Sequence, residues 1–279
     1  MINILFPTDF SDAAENAFIY ALHLTKALDA NLTLAHVYEL PDLGRALHNT
    51  SKEVYELMEM ESLENFNKSV KKLRELAIEK GFGDIEFSHL MAEGQIIHKI
   101  TAIAEHENID YIVMGTTGAT GIKEVFLGSV ASGVIDSAPC RVLSIPSKTS
   151  PSDAINNVAY LTNYKDEEVV SFDQVANFAK KFNAKVCCVH YDKEVTDVSQ
   201  EEMNAWKEKL HTEDLDVSYH VITGEDFEHA LTDFYEKNNI DIIGIQPRKR
   251  NLFTAIFKKS NTKSIAQHLK TPLLSLPAK

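Results

Sequence analysis

Three glycines, Gly115, Gly118 and Gly128, the last followed at once by Ser129, stand between an apolar run (Asp110-Tyr111-Ile112-Val113-Met114) and a helix-patterned one (Ser129-Val130-Ala131-Ser132-Gly133-Val134-Ile135). Glycines between a strand and a helix let the backbone approach a bulky anion, and the helix N-terminus adds N–H groups and a favourable dipole. A glycine-rich turn without a ligand is the plain alternative for the first pair. The third glycine and its hydroxyl neighbour favour a phosphate site. Asp9 follows the first apolar run, where its carboxylate can accept from ribose hydroxyls or cap the next helix. Val37, at the end of the second apolar run, can offer an apolar wall or backbone groups to a base.

Missing motifs argue against several kinds of catalyst. The chain has no Gly-x-x-x-x-Gly-Lys-Ser/Thr loop, no Gly-x-Gly-x-x-Gly opening its first helix, and no His-Glu-x-x-His. It also lacks a Gly-x-Ser-x-Gly elbow. No general base stands beside a nucleophile, so neither catalytic nor metal-ligating residues are assigned. His36 and His190 lie within apolar strands, which favours packing or hydrogen bonding over catalysis.

The elements that must position these residues occur twice. Residues 3–37 align without gaps onto 157–191 at an offset of 154, and residues 110–146 onto 241–277 at an offset of 131. The first copy therefore carries a net 23 extra residues, much of that excess within 40–80. Each copy alternates short apolar strands with amphipathic helices. In the first, strands are expected at 2–7, 31–38, 85–90, 110–114 and 141–145. Helices are expected at 12–28 (capped by Ser11 or Asp12), 51–80, 95–107 and from 129. Such alternation implies a parallel sheet covered on both faces, with ligands at the carboxyl ends of the strands where the strand order reverses. The polar stretch 147–153 separates domains expected at 1–147 and 153–279.

At 279 residues the length suits one large domain or two ordinary ones, and 44% hydrophobic with 25% charged residues is the composition of a soluble globular protein. A net charge of −13 argues against nucleic acid as a partner. No run approaches the length of a membrane span, and residues 1–7 lack the marks of a secretory signal. Three cysteines form neither a disulfide framework nor a zinc spacing, which points to a reducing cytoplasm.

Gly115-x2-Gly118-x9-Gly128-Ser129, with Pro7-Thr8-Asp9-Phe10-Ser11 after the first strand, closely resembles the universal stress protein family, in its tandem type. The resemblance implies an α/β fold of the adenine nucleotide alpha hydrolase kind: two open five-stranded parallel sheets, order 3-2-1-4-5, with helices on both faces, paired as a pseudo-dimer. It implies bound ATP, with Asp9 near the ribose, Val37 near the adenine, and Gly115, Gly118, Gly128 and Ser129 around ribose and phosphates. Mg²⁺ is left open. Members with this motif commonly retain ATP, some with slow hydrolysis or autophosphorylation. Family dimers pair through their fifth strands, so residues 141–145 are expected against 273–276 within this chain. A homodimer of the whole chain stays open.

The second copy departs from the motif. Gln246, Lys249 and Lys259 stand where the glycines should be, Asn163 replaces Asp9, and only Ser260 keeps its type. Side chains at the glycine positions are expected to fill that crevice. Arg248-Lys249-Arg250, Lys258 and Lys263 make a basic stretch, read as a solvated loop or a site for another anion. Three functions remain. The first is an ATP-binding stress or regulatory protein, the second a slow ATPase or phosphoryl- or nucleotidyl-transferring enzyme. The third is a nucleotide-free interaction module using Leu57, Met58, Met60, Leu63 and Phe66, residues that core packing explains as well.

Overall fold

A computed structural model of the chain describes residues 1–39, 51–116, 128–147, 149, 154–193, 197–246 and 271–277. The first half runs β1 (Asn3–Pro7), α1 (Asp12–Leu28), β2 (Asn31–Tyr38), α2 (Ser51–Glu79), β3 (Phe87–Glu93), α3 (Ile96–His106), β4 (Tyr111–Gly115), α4 (Ser129–Ser137) and β5 (Arg141–Ile145). The second runs β6 (Asn157–Leu161), a 3₁₀ turn (Asp166–Glu168), α5 (Val169–Lys181), β7 (Lys185–Tyr191), α6 (Asp197–Lys207), β8 (Val217–Ile222), α7 (Phe227–Asn238), β9 (Ile242–Ile245) and β10 (Leu273–Ser275).

Both expected sheets form, and they join into one. The ten strands lie in the order β3-β2-β1-β4-β5-β10-β9-β6-β7-β8. Every pairing within a half is parallel. At the centre β10 runs antiparallel to β5, with Leu273 opposite Ser144, Leu274 opposite Leu143 and Ser275 opposite Val142. Each strand thereby satisfies an edge that would otherwise expose a row of backbone groups.

Alternation along the strands sorts side chains between the two faces. Phe6, Val113 and Leu143 pack under α1 and α2, whereas Leu5, Ile112 and Met114 pack under α3 and α4. The first of these cores continues across the seam into Leu274, Leu276, Val158 and Phe172. There Tyr111 meets Phe178, ring centroids 6.2 Å apart. The Tyr20 phenol is pushed up to about 12 by burial, with the Asp241 carboxylate of the second half adding to the effect. In α2, Phe66, Val70, Leu73 and Ala77 face the core, while Met60 is 63% and Leu63 48% exposed. The segment thus serves the core with one face and leaves Met60, Leu63 and Ile78 outward.

Helix α1 shows how local sequence sets the frame. Ser11 is its N-cap, accepting from the Ala14 N–H at 3.3 Å, and Asp12 and Glu15 place negative charge in the first turn. It ends at Asp29 in the left-handed region (φ 49°), with the Ala30 N–H returning to the Thr25 carbonyl at 3.0 Å. Asn183 ends α5 the same way (φ 53°). Long-range joints repeat as well: Asp110 accepts from the Asn3 N–H, and Asp241 from that of Asn157, each at 2.9 Å. The duplication is therefore one of hydrogen-bonded joints as well as of apolar pattern.

Candidate functional site

The joint after β1 carries the first site residues. Thr8 is buried, and its N–H donates to the Ala35 carbonyl at 2.9 Å, which ties the loop to β2. Its Oγ1 accepts from the Phe10 N–H at 2.9 Å and holds Phe10 at φ 60°, a left-handed conformation that a bulky residue adopts only under constraint. His36 donates from Nδ1 to the Thr8 carbonyl oxygen at 2.8 Å; a carbonyl only accepts, so Nδ1 carries the proton. The ring of His36 also packs on Phe10, centroids 5.0 Å apart. Its role is to hold this turn.

Asp9 projects from the tip of the turn. Its Oδ1 accepts from the Ser11 N–H at 3.0 Å and from the Ser11 hydroxyl at 2.7 Å. The cap itself is Ser11, so Asp9 braces the capping residue and does not replace it.

The second part of the site comes from β4 and α4. Gly115 ends β4, and the next residue, Thr116, donates its N–H to the Ile145 carbonyl at 3.0 Å. The Thr116 carbonyl then accepts from the Gly128 N–H at 2.6 Å. Gly128 is the N-cap of α4, and Ser129 is its first helical residue, so Ser129 does not cap the helix. A Cβ on Gly128 would lie 3.0 Å from the Thr116 carbonyl oxygen, closer than side-chain carbons ordinarily approach a backbone oxygen. Glycine here permits the close approach of chain to chain. Gly118 lies outside the described residues.

These parts enclose a cavity of about 320 Å³ at the carboxyl ends of β2, β1 and β4. Adjacent strands β1 and β4 mark the point where the order reverses, the usual place for a ligand in an open α/β sheet. Val37, Ile96, Ile100 and Met114 supply apolar wall; Thr8, Asp9 and the start of α4 supply polar groups. The first N–H groups of a helix have no partner within it, and at α4 they belong to the lining residues Ser129, Val130 and Ala131. The Thr116 hydroxyl, also on the wall, is buried and without a hydrogen-bond partner among the described residues. The structure therefore brings Asp9, Val37, Gly115, Gly128 and Ser129 around one cavity. Thr8, Ala14 and Thr116 are among the lining residues that the sequence reading did not single out. An apolar slot, a carboxylate and a helix N-terminus in one cleft suit a nucleotide. Among the described residues, no three His, Cys, Asp or Glu side chains gather as a metal site would require.

The second half repeats the turn and fills it. His190 donates to the Thr162 carbonyl at 3.0 Å, Thr162 Oγ1 accepts from the Tyr164 N–H at 2.9 Å, and Tyr164 sits at φ 57°. Where the first half has Ala14, the offset of 154 places Glu168. Its Oε2 accepts from the Thr162 hydroxyl at 2.7 Å, the Asn163 N–H at 2.8 Å and the Lys165 N–H at 3.3 Å. Tyr191 stands in the place of Val37 and donates to the Gly224 carbonyl at 2.7 Å. Gln246, in the place of Gly115, does not fill the crevice as expected. Its side chain is held by Ser171 of α5 and donates to the Pro277 carbonyl at 2.9 Å. Strand alternation explains this, since position 115 has the parity of Val113 and faces α1, not the α3–α4 side. Lys249, Lys259, Ser260 and the basic residues Arg248, Arg250, Lys258 and Lys263 lie outside the described residues.

The fold and cleft define an open α/β protein with a nucleotide-type crevice, and comparison with known proteins gives the class a name. The family model "Universal stress protein family" matches residues 1–146, and the chain is about twice that length. Two universal stress proteins of Methanocaldococcus jannaschii are similar to it. One is 35% identical over 143 residues (51% of this chain, 80% of the relative). The other is 31% identical over 161 residues (53% of this chain, 96% of the relative). A universal stress protein structure from Archaeoglobus fulgidus matches in fold along the whole length: TM-score 0.68, 18% identity, 99% of this chain and 96% of that one. The chain belongs to the universal stress protein family. Among the described residues no helix is long and apolar enough to cross a membrane.

Proposed function

We propose that this chain is an ATP-binding regulatory protein of the stress-response kind, with the nucleotide held by the first half alone. The observation that carries the asymmetry is the pair Ala14 and Glu168. Equivalent turns border a cavity in one half, while in the other they close on a carboxylate of the chain itself. In the first cavity Val37 and the α3 residues take the adenine and Asp9 the ribose. Gly115, Gly118, Gly128 and Ser129 surround ribose and phosphates. The fit rests on the glycine at 128, on the buried Thr116 hydroxyl and on the exposed start of α4. The domains divide as 1–147 and 153–279, and the β5–β10 pairing takes the place of a dimer contact. Work in the cytoplasm suits the three buried free cysteines, of which Cys140 is pushed up to about 12 by burial, with Asp110 adding.

The cavity provides positioning without a general base beside a nucleophile, so binding, not turnover, is the proposed role. Slow ATP hydrolysis, with Mg²⁺ bound through the phosphates, is the enzymatic alternative. Incubating the purified chain with ATP and Mg²⁺ separates the two. Bound ATP unchanged over hours supports the regulatory reading, and steady product release abolished by Asp9→Ala supports the enzyme.

A further inference from the structure

Glu168 is more than a helix cap. As the third residue after Lys165 it makes the capping contact with the Lys165 N–H, but at 3.3 Å that bond is longer than two others. The two short ones, 2.7 and 2.8 Å, go to the Thr162 hydroxyl and the Asn163 N–H, in the turn after β6. A hydroxyl and an N–H converging on one buried carboxylate oxygen make an oxyanion-binding turn. The first half has the same turn in the same conformation, including the Thr8–Phe10 bond, the His36 brace and the left-handed third residue. It has alanine where the carboxylate stands, and Thr8, Asp9 and Ala14 all line the cavity.

We propose that the Thr8 hydroxyl binds an anionic oxygen of the nucleotide's phosphate chain, in the place that the Glu168 carboxylate takes in the second half. The second half is thus a domain liganded by its own side chain, and it displays the kind of atom that the first half receives from outside. The Thr8 hydroxyl accepts from Phe10 and keeps its proton to give, as Thr162 does toward Glu168. Position 14 decides which kind of half results: a carboxylate closes the turn, and a methyl group leaves it to a ligand. This proposal rests on reading the cavity as a nucleotide site.

The test uses the full chain with ATP and adenosine as probes, titrated by calorimetry. Ala14→Glu transplants the internal ligand, and it is expected to weaken ATP about tenfold or more while the chain stays folded. Thr8→Val keeps shape but removes the donated proton. It is expected to weaken ATP about tenfold and leave adenosine unchanged, with Thr8→Ser restoring ATP. A folded Ala14→Glu chain that binds ATP like the wild type overturns the proposal, as does an equal loss of adenosine in Thr8→Val. If Ala14→Glu does not fold, the Thr8 series decides alone. A wild type that binds neither probe contradicts the nucleotide reading instead, and Glu168→Ala then decides the oxyanion turn. Its lowered melting temperature should rise saturably with formate, while absence of any formate response overturns the proposal.

Discussion

The ring of His36 donates from Nδ1 to the carbonyl oxygen of Thr8, 2.8 Å away, and so fixes a strained turn from the neighbouring strand. His190 does the same for Thr162 at 3.0 Å. Because the Thr8 turn borders the cavity while the Thr162 turn closes on Glu168, the histidines separate structural from functional effects. His36→Phe and His190→Phe are each expected to cost about 1–2 kcal/mol of stability, the penalty for a carbonyl left without its partner. Only His36→Phe should weaken ATP. Thermal melts and ATP titration of both variants check this, and equal loss of ATP in both would count against the assignment.

Gly128 is held between backbone segments. Its N–H bonds to the Thr116 carbonyl at 2.6 Å, and an added Cβ would meet that oxygen at 3.0 Å. Its φ of −58° is one that any residue adopts, so Gly128→Ala introduces crowding without backbone strain. The loss of a favourable N-cap costs about 1 kcal/mol. Displacement of the start of α4 should reduce ATP affinity by more than that stability loss implies, as read by calorimetry beside a denaturant melt.

His220 gives the chain a pH dependence. Burial of its ring holds its pKa below the usual histidine value. Folding thus disfavours the protonated form, so the unfolded chain gains protons first as pH falls below about 6.5. The contribution is absent above that value and becomes a loss of stability on the way down. Its Nε2 pairs with the Ser218 hydroxyl at 2.8 Å and its ring packs on Phe234. His220→Gln is therefore expected to flatten the decline in melting temperature between pH 7 and 5. An unchanged slope would place the acid sensitivity elsewhere.

The seam makes a prediction about fragments. Leu143 and Leu274 are buried opposite each other in the β5–β10 pair. Expressed alone, residues 1–147 would expose the edge of β5 together with the core face that α5 and β10 cover. Such an edge recruits a second strand. The fragment is expected to sediment as a dimer, and Leu143→Asp to make it monomeric. A monomeric wild-type fragment would show that the edge needs no partner.

Much of this was legible in the amino-acid sequence. The strands and helices follow from apolar periodicity, and the ends of α1 follow from Ser11 and Asp29, whose local chemistry is independent of the fold. The site glycines were legible from their place between a strand and a helix, whereas the strand order and the assignment to ATP followed from family resemblance. The role of Glu168 was missed for a different reason. It belongs to the acidic run Asp166-Glu167-Glu168 at a helix start, where carboxylates are ordinarily explained by the helix dipole. A signal was available, since the same offset that paired Asp9 with Asn163 pairs Ala14 with Glu168. An alanine attracts no attention, however, until the structure shows that it lines a cavity. Gln246 was misjudged because spacing alone does not say which face of the sheet a side chain takes; parity along β4 and β9 does.

Native mass spectrometry of the full chain with saturating ATP tests the asymmetry most directly. One nucleotide per chain, held at lower occupancy by Ala14→Glu once ATP is titrated down and kept by Glu168→Ala, is the expected result. Two nucleotides per wild-type chain would contradict the closure of the second half by Glu168, and none would contradict the assignment of the first.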